Sequence, residues 1–462
     1  MALFLRLLKR LGLAFLVLLV IYAVGRPTQI WLDGFYSGER GPYLQMPSAT
    51  SMTIRWQSEK DFVGVVKYGA SVNSLNQLQR EEGENEEHEV RLTNLKPATK
   101  YYYSIGDGKD INIKGNDFWF KTAPDINAAA KNTAETNIQQ DVRFWITGDQ
   151  GYPNKIQNQV RDAMLGWLEQ NPRSGKESAP LDLWLTTGDN AYRSGSNKQF
   201  QAGFFEPYNT ILRNTPVWPV YGNHDARRWV FFDLFTFPTR AESGGLASGS
   251  EHYYSFDYAN IHFVILDTQE NDLSVDGEML NWLKKDLKQT KQQWLITLFH
   301  HPPYTKGSHN SDSTYDSGGR LIEVRENIVP VLEAAGVDLV FSGHSHMYER
   351  SDLINCHYGD SSTFNKNMQR SNTKNNIYSK NDKGISAFSG TIYTVIGSSS
   401  KVDEGPLNHP ALPHSYKEAG SMIFDVNENK LKAYFINSSG KVSDRFEIIK
   451  GVEDGVTTKR CK

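Results

Sequence analysis

Five short apolar runs of strand length each give way to a loop holding oxygen or nitrogen donors, and this recurrence constrains the 462-residue chain more than any other feature. Val142 to Thr147 leads into Gly148-Asp149-Gln150-Gly151, and Leu181 to Thr186 leads into Gly188-Asp189-Asn190-Ala191-Tyr192. Val217-Trp218-Pro219-Val220 precedes Gly222-Asn223-His224-Asp225, Trp294 to Phe299 precedes His300-His301, and Asp338 to Phe341 precedes Gly343-His344-Ser345-His346. With helical patterns at Gly277 to Leu287 and Leu321 to Ala335 between the runs, the region reads as α/β. Loops at the strand ends of an α/β sheet converge in one crevice, so side chains distant in sequence can meet around a ligand. Glycine before the donor in four of the five loops lets the chain turn tightly there.

The donor types point to a pair of metal ions. A carboxylate can span two cations, while imidazoles and an amide oxygen complete shells that leave places for water and substrate. Tyr192 narrows the choice, because a phenol of pKa about 10 keeps its proton near neutrality unless a strongly polarising cation displaces it.

Upstream of these loops the pattern changes to all-β. Met52, Ile54 and Trp56 alternate with Thr53 and Arg55, the period of a strand with one buried face, and Phe62-Val63-Gly64-Val65-Val66 follows a polar turn. Leu95-Lys96-Pro97 followed by Tyr101 and Tyr103 resembles the corner of a fibronectin type III sandwich, in which a tyrosine hydroxyl bonds back to the chain. A domain over residues 38–124 is expected, its acidic stretch Glu81 to Glu89 a solvated loop. A polar linker over 125–140 separates it from an α/β domain over 141–450, within which Asn355 to Lys383 reads as a long polar surface loop.

Charge excludes one class of partner. Lys and Arg number 50 against 53 Asp and Glu, so no single-signed field suits nucleic acid as a bulk partner. Arg6, Lys9 and Arg10 precede an apolar run from Leu11 to Val24, the pattern of an export signal over residues 1–25. A helix over that run is roughly 21 Å long against a hydrocarbon core of roughly 30 Å. It reads as a cleaved signal, as an anchor that tethers the chain to a membrane through residues 11–24, or, last of the three, as a buried core helix; in the first two cases the remainder is expected outside the cytosol. Cys356 and Cys461 either pair in such a compartment or stay as separate thiols.

The ordered loops, with Gly41-Pro42-Tyr43-Leu44-Gln45, Ser51 to Trp56, Trp294-Leu295-Ile296 and Gly343 to Ser351, resemble the purple acid phosphatases among the calcineurin-like metallophosphoesterases. The resemblance covers nearly everything after the apolar run. The family motifs GDxG, GDxxY, GNH followed by an acid, VxxH and GHxH occur in order; only the fourth departs, with Thr297 in place of valine. The matched histidine of that motif is His300, and His301 is an extra.

The resemblance implies a fibronectin III-like sandwich followed by a metallophosphoesterase domain of two packed mixed β-sheets flanked by helices. It implies Fe(III) on Asp149, Asp189, Tyr192 and His346, and a divalent Fe, Zn or Mn on Asp189, Asn223, His300 and His344. The expected activity is that of an acid phosphatase hydrolysing phosphate monoesters with a metal-bound hydroxide. Asn223, His224 and His309 would contact the phosphate, with His224 and His309 also candidates for protonating the leaving alkoxide. A phosphodiesterase or nucleotide phosphatase with Mn or Zn is the alternative on the same fold, and a non-catalytic adhesion protein is a third reading. Asp225, Arg227, Arg228 and Arg350 lie near the ligand loops in sequence and serve either substrate contact or ion pairing.

Overall fold

A computed structural model describes residues 36–110, 112–125, 141–173, 179–370 and 375–461. The expected signal or anchor and nearly all of the expected linker lie outside these residues. No helix among the described residues is long and apolar enough to cross a membrane.

Two seven-stranded sheets face each other among the described residues. In the first, Val217–Trp218, Leu183–Thr186 and Val142–Thr147 run parallel and then meet the antiparallel strands Gly420–Asn427, Lys430–Asn437 and Val442–Lys450. In the second, Ile261–Ile265, Trp294–Leu298, Leu339–Ser342 and Ile392–Ile396 are all parallel. Aromatic rings fill the space between the sheets. Phe144 stacks on Phe424 at 4.8 Å and meets Phe263 edge-on at 5.5 Å, and Trp218 stacks on Phe256 at 4.0 Å. Each pair adds about 0.5–1.5 kcal/mol to the stabilisation from burial alone.

Helices cover the outer faces, so the central strands are buried on both sides and read as continuous apolar runs. Helix Lys155–Gln170, which the apolar pattern did not single out, starts where the Asn154 side chain accepts from Gln157 N and packs Trp167 on Tyr434. The expected strand at Val217 to Val220 is only two residues long, because Pro219 has no N–H to donate to a ladder.

The N-terminal sandwich pairs a three-stranded with a four-stranded sheet. Its corner forms as the sequence suggests, with Lys96 N donating to the Tyr101 hydroxyl at 2.9 Å. Three expectations are corrected. Strand Met52–Phe62 runs through the supposed turn, and the chain reverses at Val63-Gly64 instead. Its outer face is buried too: Arg55 reaches the carbonyl of Asp233 at 2.7 Å and the hydroxyl of Thr236 at 3.0 Å, because that face packs on the α/β domain. Glu81 to Glu89 is not a loop throughout, since Asn85–Leu92 is a strand with His88, Val90 and Leu92 inward. The Glu81 carboxylate accepts from Gly64 N and from Nδ1 of His88.

Nor is Asn355 to Lys383 a loop throughout. It contains strand Ile377–Lys380, paired with Val442–Lys450, and Lys380 is buried against Asp338 at 2.9 Å. Cys356 is joined to Cys461 in a disulfide that ties this segment to the C-terminal tail.

Candidate metal centre

All five donor loops leave the C-terminal ends of parallel strands, three in one sheet and two in the other, and meet at the same edge of the sandwich. The local backbone is unusual in a consistent way. Asp149, Asp189 and His344 themselves take positive φ, of 54°, 54° and 68°, a region that Asp, Asn and His enter more readily than most residues. Such conformations cost about 1–3 kcal/mol each and cluster at functional sites. The glycines at 222 and 343 serve a different purpose from a turn: a Cβ on Gly343 would lie 2.4 Å from Asp149 Oδ2, and one on Gly222 would lie 2.2 Å from Asp189 N. The two carboxylate residues sit directly over backbone that has no room for a side chain.

All seven expected donors are brought together. The Tyr192 hydroxyl donates toward Asp149 Oδ1 at 3.0 Å and Asp189 Oδ2 at 3.1 Å, and lies 3.2 Å from His346 Nε2. Donor atoms of Asp149, Asp189 and His300 lie within 4.8 Å of one another. Asn223 Oδ1 is 2.9 Å from His300 Nε2 and 3.0 Å from His344 Nδ1. Asp189 has a foot on each side, since its Oδ1 is 3.5 Å from His300 Nε2.

The two expected substrate histidines flank the cluster. His224 packs on the Tyr192 ring at 4.5 Å, its Nδ1 donating to the carbonyl of Arg193 at 2.7 Å. His309 stacks on His344 at 3.9 Å, its Nδ1 held by Asp316 Oδ1 at 2.7 Å.

Residues 142–348 match the calcineurin-like phosphoesterase family, and residues 40–122 match the purple acid phosphatase N-terminal domain. The chain is 26% identical to purple acid phosphatase 18 of Arabidopsis thaliana over 333 residues, 68% of this chain and 66% of that one. It is 26% identical to the purple acid phosphatase of Glycine max over 366 residues, 75% of this chain and 68% of that one. The fold superposes on purple acid phosphatase PPD1 from yellow lupin seeds with a TM-score of 0.68, at 19% identity, over 91% of this chain and 76% of that one. The chain is similar to the purple acid phosphatases. It spans about half to two thirds of the length of four Arabidopsis purple acid phosphatases that it matches.

The donors of this chain fit a cation pair. Asp149 and Asp189 are 0% and 1% exposed, and no lysine or arginine forms an ion pair with either among the described residues. Buried carboxylates without a cation are costly. His300 donates Nδ1–H to the carbonyl of Thr187 at 2.8 Å, so in the neutral ring Nε2 turns a lone pair toward the Asn223 oxygen, another acceptor. A cation shared by the two satisfies both. Burial, and then the charges of Asp149 and Asp189, push the Tyr192 phenol well above its ordinary range. Only a strongly polarising cation at those oxygens would remove its proton.

Not every residue near the loops in sequence reaches the site. Arg350 is buried in a bidentate pair with Asp444, 2.6 and 3.1 Å away, which ties the two sheets together. Arg227 donates to the carbonyl of Arg193 at 3.1 Å. Asp225 accepts from the backbone of Asn190, Ala191 and Gly222, locking two ligand loops together. Its burial and the neighbouring Asp189 raise its pKa to about 7.

Sequence reasoning missed Asp316, Ser317 and Asp403, which meet His309, His344 and His346 respectively. It also missed a sixth loop, after strand Ile392–Ile396, where Ser399 Oγ accepts from Gly148 N at 3.2 Å and the Ser400 hydroxyl donates to the carbonyl of Asp149. Serines and a lone aspartate in a polar loop carry no local signal of such roles.

Proposed function

We propose that this chain is a metal-dependent acid phosphatase that releases inorganic phosphate from phosphate monoesters. The observation that carries the reading is the Tyr192 hydroxyl wedged among Asp149, Asp189 and His346, a donor set of high negative charge suited to Fe(III). Asp149, Asp189, Tyr192 and His346 would hold Fe(III), and Asp189, Asn223, His300 and His344 a divalent Fe, Zn or Mn. When bound, the pair supplies positive charge for the phosphate and activates water for attack on phosphorus.

The chain's own residues supply orientation and proton transfer. Asn223, His224 and His309 border the place where a phosphate would sit. His309 is placed to act as general acid: Asp316 holds its Nδ1 and orients the ring, so that Nε2 would carry the proton given to the departing alkoxide as the phosphorus–oxygen ester bond breaks. His224 is tethered through Nδ1 and presents Nε2 on the Tyr192 side of the cluster, 3.8 Å from Asp189 Oδ2.

Location outside the cytosol, as a secreted or tethered protein, is supported by the basic-then-apolar N-terminus and by the Cys356–Cys461 disulfide, a bond of oxidising compartments. The substrate class is tested by phosphate release from an alkyl monoester and from a matched diester. A higher kcat/KM on the monoester is expected; a clear preference for the diester would replace the phosphatase with the phosphodiesterase.

A further inference from the structure

The three histidines of the centre differ in what holds their outer nitrogen. His300 Nδ1 faces the neutral carbonyl of Thr187 at 2.8 Å, and His344 Nε2 faces the neutral hydroxyl of Ser317 at 2.6 Å. His346 is bound to a charge: its Nδ1 donates to Asp403 Oδ2 at 2.6 Å, while Nε2 points into the cluster, 3.4 Å from Asp149 Oδ1. Asp403 closes the contact from its own backbone, donating N–H to the carbonyl of His346 at 3.3 Å. The same Oδ2 atom also accepts from Lys401 Nζ at 2.7 Å. The carboxylate is 35% exposed and the lysine 46%, so the device reaches from the cluster to solvent and can be altered without opening the core.

We propose that Asp403 is a positioning residue that fixes the His346 tautomer and raises its donor strength, and that Lys401 moderates it. The proposal rests on the metal reading above and adds a cause of asymmetry to it. With Nδ1–H committed to a carboxylate, Nε2 is left as the lone-pair atom, and the shared proton makes the ring a stronger donor. The position served by Asp149, Tyr192 and His346 therefore carries one more negative influence than the position served by Asn223, His300 and His344. That difference favours the higher-valent ion on the Tyr192 side.

The experiment uses the full-length protein loaded with iron, and reads iron retention against a chelator together with the visible absorption band of the phenolate. Asp403→Ala removes both the hydrogen bond and the charge, and is expected to weaken iron retention by roughly 10–100-fold. Asp403→Asn keeps an acceptor for Nδ1–H but loses the charge; His346 becomes a weaker donor, the ion more electron-poor, and the band moves to longer wavelength. Lys401→Met removes the competing cation and is expected to move the band the other way. A merely structural role for Asp403 would move no band in either of the last two variants. Unchanged retention in Asp403→Ala, or unchanged bands in Asp403→Asn and Lys401→Met, would overturn the proposal while an iron-loaded, coloured wild type keeps the metal reading. A wild type that binds no iron would overturn both.

Discussion

Asp189→Asn is expected to lower kcat for monoester hydrolysis by roughly a thousandfold or more, and to leave the purified protein short of metal. Asp189 is the donor in contact with both halves of the cluster, with Oδ2 at 3.1 Å from the Tyr192 hydroxyl and Oδ1 at 3.5 Å from His300 Nε2. Asparagine matches its shape and can still accept the Asp189 hydrogen bond from His224 N, now 2.8 Å long, so the loop is expected to hold. The substitution removes a full negative charge and turns an N–H₂ donor toward one side, where a cation is repelled rather than bound. The check is metal per protein by elemental analysis alongside kcat, with a thermal melt of the metal-free protein to show that the fold persists. Full metal content with activity within tenfold of wild type would remove Asp189 from the bridging role.

His309→Ala should separate the proton-transfer step from the metals. His309 lies outside the proposed ligand set, stacked on His344 and held by Asp316. Loss of a positioned general acid costs about 10²–10⁴ in rate when the leaving group needs the proton. An alkyl phosphate, whose alkoxide leaves poorly, is therefore expected to suffer that loss, whereas a nitrophenyl phosphate, whose phenolate leaves unaided, should lose far less. Metal content and visible colour are expected to stay at wild-type levels. Equal losses on the two substrates would assign His309 to phosphate binding instead.

The parts of this site that are legible in the sequence are those encoded locally. An apolar strand followed by a donor-bearing loop is a contiguous pattern, so it marks Asp149, Asp189, Tyr192, Asn223, His300, His344 and His346 residue by residue, and the parallel strands explain why they meet. The role of glycine is legible only in part. At Gly222 and Gly343 the reason is lack of room beneath Asp189 and Asp149, and the left-handed backbone falls on Asp149, Asp189 and His344 themselves.

What depends on tertiary contact has no such local mark. Asp403 is 57 residues from His346 and reaches it only because Ile392–Ile396 is parallel to Leu339–Ser342 and ends at the same edge. Thr53 and Arg55 have the pattern of a solvent face, yet a second domain covers them. The acidic stretch hides a strand because the inward residues His88, Val90 and Leu92 alternate with charges whose number dominates the composition. The cysteine pairing is open in sequence because Cys356 and Cys461 are 105 residues apart.

The most direct measurement is the visible absorption spectrum of the purified, oxidised protein alongside its iron content. A ferric ion bound by the Tyr192 phenolate predicts iron in the protein and a charge-transfer band in the visible that is lost in Tyr192→Phe while the calcineurin-like fold persists. Iron bound without a visible band, or a band unchanged in Tyr192→Phe, would contradict the ferric–phenolate centre.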